Sequence, residues 1–305
     1  MPSIESFRKN IYNETTFYFG GIRVDLNFAE LIKAIIIGVV EGITEWLPIS
    51  STGHMILVDE FIKLDVSKAF MDMFLVVIQL GAILSVVVLN FDRLNPFSSW
   101  KTRAEKRETI ELWKKVIVSC VPAGVIGLAF NKYMEQHFMT ALVVASTLII
   151  YGVLFIVVEN TNAKRTPRIK TLAQLDYKTA FIIGCFQVLA LVPGTSRSGS
   201  TILGGILFGT SRFVATEFTF FLAIPIMFGA SLLKLVKFGW HYTGGELLIL
   251  SVGMATAFIV SVISIKLLLR YIKKNDFKAF GWYRIALGLV VLAYLFLIGD
   301  PVGTE

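Results

Sequence analysis

The stretch Glu41-Gly42-Ile43-Thr44-Glu45-Trp46-Leu47-Pro48-Ile49-Ser50-Ser51-Thr52-Gly53-His54 decides how the rest of the chain is read. It closes an apolar run that begins at residue 28 and reaches only to residue 47. A helix needs about 20 mostly apolar residues to cross a bilayer. Here two glutamates intrude, and Pro48 with the Ser, Ser, Thr and Gly that follow breaks the helix before a crossing is complete. Non-helical backbone at membrane depth survives only where it is buried in protein or lines a wet cavity. The stretch is therefore expected to form a re-entrant helix–turn–helix element.

A second apolar run, 179–193, ends in the same way, in Val192-Pro193-Gly194-Thr195-Ser196-Arg197-Ser198-Gly199. Laid over each other without gaps, 35–58 and 181–204 share seven identities in 24 positions. Ile36, Ile37, Gly38, Ser50, Gly53, Ile56 and Leu57 meet Ile182, Ile183, Gly184, Ser196, Gly199, Ile202 and Leu203, while Glu41 meets Gln187 and Thr52 meets Ser198. Three longer apolar segments follow each element: 69–90, 112–130 and 140–158, then 213–235, 246–269 and 281–299. An odd number of crossings per half inverts the second half relative to the first, as in many transporters. The expected architecture is an all-α, polytopic integral membrane protein with inverted-topology repeats, comprising about six full transmembrane helices plus two re-entrant helix–turn–helix elements. A single membrane domain covers 1–305, with an N-terminal extension at 1–27, one repeat half at 28–158 and the other at 176–299.

Composition agrees. Of 305 residues 55% are hydrophobic and 17% charged, against about 25% charged in a soluble domain. The first 27 residues lack the long apolar core of a cleavable signal peptide. The net charge of +7 is carried by basic clusters between apolar segments. Arg93, Lys101, Arg103, Lys106, Arg107, Lys114 and Lys115 fall in one connection, Lys164, Arg165, Arg168, Lys170 and Lys178 in another, and Arg270, Lys273, Lys274, Lys278 and Arg284 in a third. The positive-inside rule makes these three cytoplasmic and puts both termini outside. The first re-entrant element then enters from outside and the second from the cytoplasm. No basic stripe or aromatic platform supports nucleic-acid binding. Cys120 and Cys185 lie in apolar stretches and are expected to be buried thiols with no disulfide or metal role. The sequence specifies no oligomeric state.

The chemistry sits in the two polar breaks. Glu41 and Glu45, four apart, share a helix face. Two carboxylates inside a membrane segment need a cation, a proton or a cavity; together they could hold Mg²⁺ or Ca²⁺ through oxygens, or one could move a proton. Ser50, Ser51 and Thr52 bring hydroxyls to the turn, and His54 is the one histidine near a polar cluster, suited to act as base, nucleophile or acid. His137 and His241 are expected at the solvent edge, and Glu30 and Lys33 at a water-facing helix boundary. In the second break Arg197 offers paired donors to phosphate oxygens, among the small residues Gly194, Thr195, Ser196 and Ser198, whose backbone N–H groups stay accessible. A helix starting near Ser198 would add an anion-binding end, with Thr201 lining its mouth. Arg212 is expected instead to snorkel to the headgroups. An anion clamp beside carboxylates, hydroxyls and a histidine suits metal-assisted phosphoryl chemistry; a secondary transporter or flippase for an anionic or lipid-phosphate substrate would need most of the same groups.

At Glu41–His54, and at Pro193-Gly194-Thr195-Ser196-Arg197-Ser198-Gly199 with Thr201, the chain strongly resembles the undecaprenyl-diphosphate phosphatase family, the bacitracin-resistance phosphatases. Val77–Leu84 and Glu217–Pro225 are also similar to family stretches, and the resemblance covers about residues 28–299. Trp46 stands where the family usually has Phe, and the N-terminal extension is longer than the family's. The resemblance implies hydrolysis of undecaprenyl diphosphate to the monophosphate and phosphate, which recycles the lipid carrier of cell-wall synthesis and confers bacitracin resistance. It also implies a bacterial plasma membrane, a divalent cation, a polyprenyl diphosphate substrate among membrane lipids, and a site opening to the outer face. Glu41, Glu45, Ser51, His54, Ser196 and Arg197 fall where the family's important residues lie. The nucleophile stays open between His54, Ser51 and a water activated by His54.

Overall fold

The computed structural model describes residues 15–19, 22–239 and 241–298, so most of the expected N-terminal extension lies outside the described residues. A short antiparallel hairpin, β1 (Thr15–Phe19) and β2 (Ile22–Leu26), precedes eleven α-helices. These are α1 (Phe28–Thr44), α2 (Ser51–Phe61), α3 (Lys68–Leu89), α4 (Phe91–Leu94), α5 (Arg103–Phe138), α6 (Ala141–Asn162), α7 (Tyr177–Val188), α8 (Arg197–Leu207), α9 (Arg212–Phe238), α10 (Gly244–Ile272) and α11 (Lys278–Ile298). Six of them, α3, α5, α6, α9, α10 and α11, are long and apolar enough to cross a membrane.

The helices start where side chains can satisfy the first N–H groups. Thr102 and Thr243 close capping boxes with Glu105 and Glu246 at the heads of α5 and α10. The Thr102 cap explains why α5 begins at Arg103, well ahead of the apolar run: backbone hydrogen bonding extends a helix beyond the stretch that lipid must cover. On the outer faces of the long helices Val125, Leu128, Ile150, Phe228, Leu232, Ile263 and Leu289 are exposed. An apolar exterior on this scale is matched by lipid, not water, and the protein is a multi-pass membrane protein that is all-helical apart from the β1–β2 hairpin.

The packing repeats itself. Helix α1 lies against α10, and α7 lies against α5; α3 packs on α9, and α6 on α11. The two aligned glycines set the first two contacts. A Cβ on Gly38 would lie 2.7 Å from the carbonyl oxygen of Gly253, and one on Gly184 would overlap the carbonyl of Ser119. Small residues that admit a neighbouring backbone are how helices associate where lipid removes the hydrophobic drive.

Several charges sit differently from expectation. Arg212 does not snorkel: its Nε and Nη2 grip Glu159, a buried carboxylate that also accepts from the backbone N–H of Phe277 at 3.0 Å. Burial of Glu159 makes pairing obligatory. Glu30 does not face water; it is buried, accepts from Lys33 at 2.7 Å and from the Asp65 backbone at 2.8 Å, and ties α1 to the α2–α3 connection. Glu217, in one of the family-like stretches, is paired with Arg93. Cys120 is half-buried and Cys185 is exposed on the outside of α7, so the latter is not the buried thiol expected; both are free. His137 and His241 are exposed, as expected.

Candidate active site

Both polar breaks become tight turns that end in an unusual backbone. Among the described residues the two non-glycine positions with positive φ are Ser50 (73°) and Ser196 (70°), the aligned serines of the two motifs. Each is the N-cap of the short helix that follows, and each hydroxyl accepts the N–H three residues on, from Gly53 at 3.4 Å and from Gly199 at 3.1 Å. L-residues with positive φ are disfavoured, so the surrounding structure imposes this shape in order to aim the next residues, Ser51 and Arg197. Gly194 has φ +84°, and a Cβ there would come within 2.7 Å of the Val144 carbonyl oxygen, so glycine is required.

The two turns meet. Arg197 Nη2 donates to Glu45 Oε1 at 2.9 Å, and its Nη1 donates to the Thr219 carbonyl at 3.1 Å. The pair is nearly buried, with side chains 12% and 10% exposed. Ser198 Oγ donates to the backbone carbonyl of Glu45 at 3.2 Å. Glu45 Oε2 in turn accepts from Ser51 Oγ at 3.2 Å. One turn earlier on the same face Glu41 is buried, and its Oε1 has no hydrogen-bond partner. Thr201 donates to the Arg197 carbonyl at 2.9 Å and accepts from Thr219 at 2.9 Å, which holds the first turn of α8 against α9. Ser196 and Ser198 hydroxyls are 3.2 Å apart, and Thr195 is buried in the turn. Thr52 lies half-buried on the first turn of α2.

His54 faces elsewhere. Its Nδ1 is 2.7 Å from the Ser50 carbonyl and its Nε2 is 2.7 Å from the Tyr283 hydroxyl, with the two rings stacked. A carbonyl only accepts, so Nδ1 carries the proton and the basic nitrogen is Nε2. Its hydrogen bonds go to Ser50 and Tyr283 rather than to either glutamate.

Two residues escaped the sequence reading, both on α11. Tyr283 holds His54, and Arg284 holds both turns. Counted among loop cations, Arg284 is instead fully buried. Its guanidinium donates to the carbonyls of Pro48 at 3.3 Å, Gly194 at 2.9 Å and Thr195 at 3.0 Å, and it lies over the Tyr151 ring. Among the described residues no carboxylate neutralises it. The available signal was position: Arg284 comes after Gly281-Trp282-Tyr283, already inside the apolar segment that reaches 299.

Among the described residues no three His, Cys, Asp or Glu side chains gather as a metal cage. Glu41 and Glu45 nevertheless fit a hard cation. Mg²⁺ is commonly held by one or two carboxylates, its other positions going to water and substrate phosphates, and the unpartnered oxygen of Glu41 is an open ligand.

Residues 34–290 match the model of the bacitracin resistance protein BacA family, a span that includes both motifs and Arg284. Curated relatives named undecaprenyl-diphosphatase are similar along nearly their whole length. That of Desulfitobacterium hafniense is 65% identical over 266 residues, covering 87% of this chain and 96% of the relative. That of Limosilactobacillus fermentum is 61% identical over 272 residues, 88% and 99% of the two chains. That of Enterococcus faecalis is 60% identical over 270 residues, 88% and 98%. With its two turns, their joining ion pair and this extent of similarity, the chain belongs to the BacA bacitracin resistance family.

Proposed function

We propose that this chain hydrolyses undecaprenyl diphosphate to undecaprenyl phosphate and phosphate in the bacterial plasma membrane, recycling the carrier lipid of peptidoglycan synthesis and conferring bacitracin resistance. The observation that carries this reading is the Arg197–Glu45 ion pair, which joins the two motifs into one site. The names of the relatives support hydrolysis rather than transport. In this reading the two helix–turn–helix elements are re-entrant, belong to inverted halves, and meet in a cavity that opens to the outer face.

The resting contacts suggest the sequence of events. Glu45 Oε1 occupies an Arg197 amino group on which a phosphate oxygen would sit. A diphosphate carries more charge than one carboxylate and competes for that group. Arg284, buried behind both turns without a counter-charge among the described residues, adds to the attraction. Ser196, Ser198, Thr201 and the Ser196 N–H that follows Gly194-Thr195 complete the cradle, with Ser50 and Thr52 on the facing turn; the Thr195 N–H is already given to the Val192 carbonyl at 3.2 Å.

Displaced from Arg197, Glu45 keeps its bond to Ser51 and becomes the better base. Ser51 Oγ attacks the terminal phosphorus while its proton passes to Glu45. The bridging P–O bond breaks, and its electron pair leaves with undecaprenyl phosphate. Water then attacks the phosphoserine and gives a proton to His54 Nε2, which releases it to bulk water. Ser51 recovers its own proton from Glu45, and phosphate departs. Glu41 and Glu45 would hold a divalent cation, Mg²⁺ or Ca²⁺, which when bound neutralises charge on the phosphate oxygens.

Phosphate release from undecaprenyl diphosphate by the purified chain in detergent, with and without chelator, tests the activity. Release that the chelator suppresses is expected; a transporter would release none. Protein quenched in SDS at neutral pH, where phosphoserine and phosphohistidine both persist, should carry label from the terminal phosphate on Ser51, whereas label on His54 would reassign the nucleophile, as would full turnover by Ser51→Ala.

A further inference from the structure

A basic cavity lies at the other end of α8 from the active site. Arg197 opens this helix of 11 residues and Leu207 closes it, so at about 1.5 Å per residue roughly 15 Å separate the active site from what lies beyond. There a cavity of about 600 Å³ opens among the ends of α6, α8, α9 and α10 and the connection between α6 and α7. Three of the six candidate spans end at its rim, Ala141–Asn162, Arg212–Phe238 and Gly244–Ile272, which places it at headgroup level.

The cavity is built, not a gap between loose loops. Its wall is a strip of backbone pairing in which Ile169 N–H donates to the Gly209 carbonyl at 2.9 Å and Ser211 N–H donates to the Ile169 carbonyl at 2.8 Å. Ile169 is buried by that pairing, which fixes the basic connection onto the α8–α9 turn. The floor is the Arg212–Glu159 pair, whose charges cancel. What is left is positive. Arg165, Lys170 and Lys273 line the cavity, and among the described residues no carboxylate pairs with any of them. Arg168 shares its charge with Asp176 on the outer side. Phe213, beside Lys273, and the exposed Leu207 give the wall an apolar surface.

We infer that this cavity binds the phosphodiester of an anionic phospholipid headgroup, at a site separate from the one that takes the diphosphate. The chemistry is that of a phosphate ester held by three unpaired cations at a membrane face, where anionic lipids are concentrated and basic pockets between helix ends capture them. The lipid source is favoured over a free phosphate ester by the apolar wall at the end of three spans.

The full chain, purified in a neutral detergent and stripped of lipid, is titrated with phosphatidylglycerol, phosphatidylcholine or glycerol 3-phosphate while its thermal unfolding is followed. Phosphatidylglycerol is expected to raise the melting temperature, phosphatidylcholine to leave it unchanged, and the combined variant R165Q/K170Q/K273Q to lose the shift. That variant's phosphate release without added lipid should equal the parent's, since none of the three residues touches the active site. If its turnover is lost as well, the single variants R165Q and K273Q serve instead, each losing part of the shift. A glycerol 3-phosphate shift that the same variant abolishes supports the phosphoester site with a soluble source. An equal phosphatidylglycerol shift in variant and parent, or an equal shift from phosphatidylcholine, overturns the proposal.

Discussion

Ser50 and Ser196 are where this protein stores local strain. A side chain held at positive φ outside the ordinary wells costs about 1–3 kcal/mol, yet each serine also caps a helix, which contributes about 1 kcal/mol relative to alanine. Replacing either with glycine relieves the strain and forfeits only part of the cap; replacing it with alanine keeps the strain and loses the cap. Ser50→Gly and Ser196→Gly are therefore expected to melt at or above the parent temperature in detergent, and the alanine variants below it. Alanine variants as stable as the glycine ones would refute both the strain and the caps.

Arg284 differs in kind, because three carbonyls depend on it. Arg284→Met leaves them buried without donors, at about 1–3 kcal/mol for each unsatisfied group, and uncouples the two turns. A large loss of melting temperature and of kcat is expected. Arg284→Lys keeps the charge but not the fork, so it should recover charge-dependent KM more than kcat. Equal recovery of both would make Arg284 a point charge, not a positioning residue.

Among elements, the aligned glycines Gly38 and Gly184 fix how α1 meets α10 and how α7 meets α5. In each case the atoms a Cβ would meet include a backbone carbonyl, which cannot swing aside as a flexible side chain would. Gly184→Ala must push α7 off α5, and overpacking of this kind costs about 1–3 kcal/mol. Because α7 leads directly into the turn that carries Arg197, the displacement should also lower phosphate release. Gly124, with nothing within 4 Å of an added Cβ, supplies the control: Gly124→Ala should leave phosphate release at the parent value without lowering the melting temperature.

On the scale of the whole molecule, the basic connections and the chain's six long helices specify an arrangement across the bilayer. In a C120S/C185S background, H241C and K164C should react with a membrane-impermeant thiol reagent from opposite sides of sealed vesicles, K164C from the cytoplasmic side. Labelling of both from one side would refute the assigned topology. Both positions are exposed, so access depends on the side alone.

What the sequence by itself determined is the class of molecule and its family; it also named most residues of the candidate site. Apolar length gave six helices, because a crossing has a minimum length that composition either meets or does not. The Pro–Ser–Gly breaks gave two turns, because those residue types cannot continue a helix, and the motif text led to the family. Helix ends were less legible, as at Arg103, because caps and polar turns extend helices past their apolar part. Only the tertiary structure decided which charge meets which. Arg197 and Glu45 are 152 residues apart, and either could have faced water alone. Arg284 read as one more cytoplasmic cation, and Arg212 as a snorkeller, until packing buried the first against three carbonyls and gave the second to Glu159. The physical reason is the same for all of them: a charge records its cost in the sequence, whereas its partner is chosen by the folded chain that must desolvate it.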